Sequence, residues 1–306
     1  MKRLKAFSII VFILAVVGFG YFQFGQMKNA DKLGPLITID DKTMEVSTKD
    51  DESVLISGVT AQDMKDGDVT DSVVIEGLST FLEEGRRLVT YAAFDSDLHV
   101  SKATREIIYT DYTSPKFELE QPLRFPIGTT NFIANMSVKD CLDGDITRKI
   151  KLSPDSAVTV DTSGEYKAIF QVSNSAGDVS YLPVTIEIYE GLDRDTPQIE
   201  LSEYLVYTDG KKLDLESYLE NVLINGVEYN LTKGKETYGK EDNKANDDAQ
   251  SISYNRIRIN DTIDYKKDGT YEVTYSIIGE DGNRGSVRLI VVVDKSSGEE
   301  EKDAGK

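Results

Sequence analysis

Apolar positions along the chain fall into two regimes. From Ala6 to Met27 no residue is charged, and Ile9 to Leu14 form an unbroken apolar run. About 20 such residues suffice to cross a bilayer as a helix. Lys2, Arg3 and Lys5 precede the run and hold the N-terminus in the cytoplasm. This predicts a cytoplasmic 1–5, a single-pass transmembrane signal-anchor helix over 6–27, a tether over 28–34, and extracellular residues beyond. A cleaved signal peptide is the competing reading; small residues occur at Gly18 and Gly20, but no A-x-A pattern follows the apolar core.

Beyond Pro35 the pattern changes to short alternating segments. Ile37 and Ile39, Val54 and Ile56, and Val73 to Ile75 predict strands bounded by Asp, Gly and Ser turns. Three longer segments repeat one design. Gly85 leads into Val89, Tyr91 and Ala93; Gly164 into Tyr166, Ala168, Phe170 and Val172; Gly269 into Tyr271, Val273, Tyr275 and Ile277. Each is followed by a polar turn and a return strand, such as Leu182 to Ile188 or Val287 to Val293, with period two. The fold class is all-β: three tandem β-sandwiches over 35–111, 112–194 and 195–295, end to end in a rod behind the transmembrane helix. Gly164 to Gly269 is 105 residues and Gly85 to Gly164 is 79. The excess in the third repeat is assigned to a long polar loop over 225–250, and 296–306 reads as a disordered acidic tail.

One motif indexes the repeats. Asp63, Asp66, Gly67, Asp68, Val69 and Thr70 return as Asp140, Asp143, Gly144, Asp145, Ile146 and Thr147, a D-x-x-D-G-D-[V/I]-T pattern that the third repeat lacks. In a sandwich the loop after the second strand and the late turn at Asn174–Asp178 lie at the end where the chain enters. Asp111, Asp140, Asp143, Asp145 and Asp178 are therefore the candidate calcium ligands, since calcium takes six to eight oxygens. The spacing is not that of an EF-hand. The alternative needs no metal: Asp66 and Asp143 make Asx turns, Gly67 and Gly144 supply positive φ, and Asp68 and Asp145 cap the next strand.

Charge and composition narrow the function. The formal charge of -19 argues against nucleic acid as a partner. The single cysteine, Cys141, excludes an intramolecular disulfide and leaves an intermolecular bridge or a partly buried small residue. His99 is the only histidine and reads as a turn residue; neither G-x-S-x-G nor H-E-x-x-H occurs, so no catalytic site and no enzyme activity is predicted. In the third repeat Tyr204, Tyr207, Tyr218, Tyr229 and Tyr238 form either an exposed platform for a glycan or protein ligand, or part of the core and its rim.

The order of the acidic motif, then Gly and an alternating Tyr-rich strand, then a turn near Gly-Asn, resembles the bacterial immunoglobulin-like repeats of Gram-positive surface proteins, a type also found as the Ig-like module of a pesticidal crystal protein. Asp111 to Pro115 and Asp193 to Pro197 resemble the D-x-T-x-P linker of such repeats. Agreement is good in the first two repeats and partial in the third; the first departs at Arg86, Arg87 and His99. The resemblance implies Ig-like domains for display, spacing or adhesion, with no enzymatic role. The alternatives are the ectodomain of an envelope sensory or assembly complex, and a calcium-stiffened, cadherin-like module.

Overall fold

The computed structural model describes residues 10–22, 33–191, 196–233, 250–279 and 282–295. The chain divides into an N-terminal unit, Met1–Tyr112, and a C-terminal unit, Thr113–Lys306. Residues 10–22 are helical with every side chain exposed. The rest of the 6–27 span lies outside the described residues, among which no helix is long and apolar enough to cross a membrane. Most of the 28–34 tether, Asp193 to Asp195 and the tail over 296–306 also lie outside them.

In the N-terminal unit the alternating segments become two sheets. Strands β1 (Leu36–Ile39), β3 (Val59–Asp63) and β4 (Gly67–Asp68) form one; β2 (Thr43–Val46), β5 (Val74–Leu78), β6 (Arg86–Phe94) and β7 (Val100–Tyr109) form the other, in the order β2-β7-β6-β5. Strand β2 runs parallel to β7, so the chain crosses from one sheet to the other between β1 and β2. Val89, Tyr91, Ala93 and Ile107 are fully buried between the sheets. The expected strand around Val54 and Ile56 is instead a single 3-10 turn, Glu52–Ile56. Asp51 accepts a hydrogen bond from Ser53 N at 2.9 Å, which starts the turn, and Leu55 is buried in the core with Ile56 packed against its edge.

The C-terminal unit repeats this order with β8 (Lys116–Leu119), β9 (Arg124–Pro126), β10 (Met136–Asp140), β11 (Gly144–Asp145), β12 (Lys151–Leu152), β13 (Gly164–Ser173) and β14 (Val179–Tyr189). The sheets are β11-β10-β8 and β12-β13-β14-β9, with β9 parallel to β14. A second sheet pair follows: β15 (Gln198–Leu201), β16 (Leu205–Thr208), β17 (Leu219–Ile224), β18 (Val227–Thr232), β19 (Ser251–Ser253), β20 (Arg258–Asn260), β21 (Gly269–Ile278) and β22 (Arg284–Val293). These make β15-β17-β18-β19 and β16-β22-β21-β20. Where the earlier repeats carry the acidic loop, β17 and β18 are joined by Asn225 and Gly226, at φ 53° and 76°, the Asn-Gly turn favoured in tight hairpins. Part of the span expected as polar loop, 227–232, is therefore strand; residues 234–249 lie outside the described residues.

The two sheet pairs of the C-terminal unit share apolar surface, which the expectation of separate sandwiches on short linkers does not anticipate. Leu205 and Ile290 belong to the core built on Phe117, Phe170 and Ile186, while their neighbours Val206, Leu289 and Val291 belong to the core of the second pair. Strand β16 and the end of β22, from Leu289 to Val293, are thus covered on both faces. Polar contacts line the same junction: Tyr207 Oη accepts from Phe117 N at 2.8 Å, and Glu272 accepts from Thr185 N and from Thr185 Oγ1 at 2.8 Å. Arg288 pairs with both Glu165 and Glu272.

Candidate functional site

The acidic motif folds the same way twice, and its carboxylates divide the work by position. The first aspartate is buried at the end of its strand. Asp63 Oδ1 accepts from Lys65 N and Asp66 N, both at 2.8 Å; Asp140 Oδ1 accepts from Leu142 N at 3.0 Å and Asp143 N at 2.7 Å. Gly67 and Gly144, at φ 77° and 69°, then reverse the chain in a conformation that disfavours a Cβ. The second aspartate reaches across to the late turn: Asp66 takes Ser96 N and Oγ, and Asp143 takes Ser175 N and Oγ. The third accepts from the threonine two residues on, Asp68 from Thr70 N and Asp145 from Thr147 N, both at 3.0 Å. Each threonine hydroxyl in turn accepts from the strand, at Ala61 N or Val138 N.

The Asx turns expected at Asp66 and Asp143 are made instead by Asp63 and Asp140, and again by Asp68 and Asp145, because the second aspartate of each motif is turned away to the serine of the late turn. The positive φ of both glycines is as expected. Of the five calcium candidates, Asp140 and Asp143 meet the turn at Asn174–Asp178, where Asn174 Nδ2 donates to Asp140 Oδ2 at 3.1 Å and Asn174 Oδ1 accepts from Asp178 N. Asp145 faces Lys139 and Thr147 instead. Asp111, in the N-terminal unit, accepts from Ser47 Oγ and Thr48 N, both at 2.7 Å. Among the described residues no group of three or more His, Cys, Asp or Glu side chains is placed to hold a metal ion.

The loop lies at the end where the chain enters the sheet pair: Cys141 Sγ donates to Thr113 O at 3.1 Å and accepts from Thr113 N. Cys141 is partly buried, and burial raises its thiol pKa. His99 closes the β6–β7 turn, with Nδ1 2.8 Å from Asp95.

Hydrogen bonds hold several of these carboxyls below the usual range. Ser96 lowers Asp66 and Thr70 lowers Asp68. Thr147, with Lys139, brings Asp145 to about 2. Burial raises Asp143, but the bonds from Lys149 and Ser175 outweigh it. A depressed carboxyl contributes stability that is complete above its unfolded pKa and lost as pH falls through its folded value. The melting temperature should therefore hold above pH about 4 and fall between about 4 and about 2. In calorimetric scans the Asp66→Asn, Asp143→Asn double variant should melt lower at neutral pH and show a shallower acid decline.

A second site, not visible in the sequence, is a cleft of about 260 Å³ at the junction of the two sheet pairs of the C-terminal unit. Three arginines, Arg124, Arg284 and Arg288, and three glutamates, Glu187, Glu200 and Glu272, line it beside Tyr204. Arg124 pairs with Glu187 at 3.0 Å and stacks on the Tyr189 ring, its guanidinium carbon 4.6 Å from the centroid. Arg284 is exposed and donates to Ser276 Oγ at 3.2 Å. With charges matched in number, the cleft offers many donors and acceptors and little net field, which suits a neutral hydroxylated group better than a free ion. Of the two readings of the third-repeat tyrosines, the described ones follow core and rim: Tyr204 packs on both cores of the unit, Tyr207 on the first, and Tyr218 and Tyr229 on the second, while Tyr238 lies outside the described residues.

Comparison with known proteins bears on the third repeat. Residues 223–293 match the family described as bacterial surface protein, Ig-like domain. The match falls on the repeat whose motifs agree least with the pattern read from the sequence. An uncharacterized 81.3 kDa protein of Acholeplasma phage L2 is 24% identical over 200 residues, covering 62% of this chain and 22% of its own length. The chain thus spans about a fifth of that relative. Among solved structures, the CBM51-2 and INT domains of Clostridium perfringens ZmpB in complex with GlcNAc are 22% identical and cover 48% of this chain and 26% of that one, at a TM-score of 0.21. The lipoprotein BT2262 of Bacteroides thetaiotaomicron is 13% identical, covering 57% and 98%, at 0.21. The protocadherin GammaB4 extracellular domain is 13% identical, covering 86% and 50%, at 0.20. Likeness at these TM-scores carries no functional inference.

Proposed function

We propose that this chain is a non-enzymatic bacterial cell-surface protein, held in the membrane by its N-terminal helix, that presents three tandem Ig-like sandwiches outside the cell. In this reading the C-terminal unit binds a neutral polar ligand, a glycan or a hydroxyl-rich protein surface, in the cleft between its sheet pairs. The match of residues 223–293 to a bacterial surface Ig-like domain supports the class. Support for anchoring is the uncharged run from Ala6 to Met27 and the exposed apolar side chains of residues 10–22.

The single observation that carries the ligand reading is the cleft itself, a concavity with three arginines and three glutamates built from strands of both sheet pairs. At about 260 Å³ it lies below the roughly 300–1,000 Å³ of ordinary small-molecule sites, so it suits one ring-sized group of a longer ligand. Sites on rigid strands hold their donors in place and lose little entropy on binding.

The test is a binding screen of the full chain against envelope glycans and surface proteins, repeated with Arg284→Ala. A hydrogen bond from a charged donor is worth about 1.5–3 kcal/mol, so the variant should bind roughly 10- to 100-fold more weakly, with the melting temperature lowered only by the loss of the bond to Ser276. Binding that survives the substitution unaltered places the ligand elsewhere.

A further inference from the structure

One turn position separates the N-terminal unit from the sheet pairs that follow it. In the C-terminal unit the turns before β14 and β22 carry Gly177 and Gly282, at φ 83° and 84°, each donating back to the carbonyl three residues earlier. The matching position before β7 is Leu98, which makes the same hydrogen bond at φ 67°. A left-handed backbone crowds a leucine's Cβ against the neighbouring carbonyl, which glycine avoids. Packing does not compensate, because Leu98 is 79% exposed. The acidic loop shows the same contrast: Met64 is 88% exposed where the second repeat has the partly buried Cys141.

These two side chains belong to one rim. Asp66 bonds to Ser96 and Lys65 Nζ lies 2.6 Å from Asp97 Oδ2, so the loop that carries Met64 is tied to the turn that carries Leu98. Phe94 and Val100 pair across the base of that turn and are 47% and 59% exposed. Leu36, 71% exposed, begins β1 nearby, and Gly34 lies against His99, Val100 and Ser101. The chain therefore enters the N-terminal unit at this rim. Residues 23–32 separate it from the apolar helix 10–22, and the 12 steps from Phe22 to Gly34 reach at most about 43 Å.

We propose that the rim formed by Leu36, Met64, Phe94, Leu98 and Val100 is a lipid-contacting surface that seats the N-terminal unit on the bilayer entered by the helix. The proposal rests on the membrane-anchor reading above. Large apolar side chains at a rim, strained backbone without a packing return, and a short connection to the anchor meet at one end of the unit. Asp66, Asp95 and Asp97 share that end with Lys65 and His99, so the rim suits the interface of a zwitterionic bilayer better than that of an anionic one.

The chain contains no tryptophan, which makes a single introduced one an unmixed reporter. Full-length Met64→Trp and Val100→Trp variants would be reconstituted into phosphatidylcholine vesicles with or without brominated acyl chains, beside Val179→Trp at the position matching Val100 in the next repeat. Both rim reporters should shift to the blue in vesicles and lose most of their emission to brominated lipid, while the Val179→Trp reporter does neither. Rim reporters that keep water-like emission in protein that floats with the vesicles overturn the proposal and leave the anchor standing, as does equal quenching of all three. A wild-type chain that fails to float overturns both.

Discussion

Replacing Ile290 with alanine should destabilise the whole C-terminal unit, not the last sheet pair alone. Ile290 is 3% exposed and lies on β22, yet it packs in the core of the preceding sheet pair with Leu205. Truncating a buried isoleucine typically costs about 2–5 kcal/mol, through lost transfer energy and the cavity left behind. Here the cavity opens between the sheet pairs. Hydrogen exchange of the full-length variant should therefore rise together in β13, β14, β21 and β22, and calorimetry should show one lowered transition for the unit. Faster exchange confined to β15 through β22, with β13 and β14 at wild-type protection, would show that the two sheet pairs unfold independently. Glu272→Ala acts at the same junction by removing the acceptor of the Thr185 N–H, and should lower the same transition by a smaller amount, about 1–3 kcal/mol.

The second large effect is expected at Asp140. This residue is 7% exposed and accepts three hydrogen bonds, two from backbone N–H groups of its own loop and one from Asn174. Asp140→Ala leaves all three donors without their acceptor in a part-buried corner. Each such donor costs about 1–3 kcal/mol, reduced where water can enter, so a loss of about 2–4 kcal/mol is expected. Asp140→Asn keeps an acceptor for both backbone donors and sets an amide against the Asn174 amide, so it should cost less than alanine. Asp145→Ala, at an exposed side chain bonded to Thr147 and Lys139, should change chemical denaturation midpoints little. If Asp140→Ala and Asp145→Ala proved equally mild, the buried aspartate would not be what holds the corner.

Legibility in the sequence followed the surroundings of each strand. The segments after Gly85, Gly164 and Gly269 were readable because each has one face in a core and one in water, so hydrophobicity alternates along it. Strand β22 alternates through Val287, Leu289, Val291 and Val293, but Ile290 and Val292 fill the positions between. That unbroken apolar run was the available sign of burial on both faces. The same reasoning applies to Leu205 and Val206. The cleft had no comparable sign, since Arg124 and Glu187 lie on one sheet pair and Glu272 and Arg284 on the next, far along the chain, and the two halves meet only because the sheet pairs share a core. Val54 and Ile56 misled because a 3-10 turn buries one residue between two half-exposed ones, which in a short segment looks like a strand.

What the sequence determined by itself is what depends on local chemistry: the apolar run of the first 27 residues, the period-two strands, and a repeated acidic corner whose glycines and aspartates can satisfy their own backbone. Tertiary structure decided what depends on distant partners. It assigned the Asx turns to Asp63 and Asp140 by burying them, tied Asp66 and Asp143 to serines about 30 residues away, and joined two sheet pairs over Leu205 and Ile290. Hydrogen bonds within a loop are fixed by spacing along the chain, whereas burial and ion pairs between strands are fixed only when packing brings remote faces together.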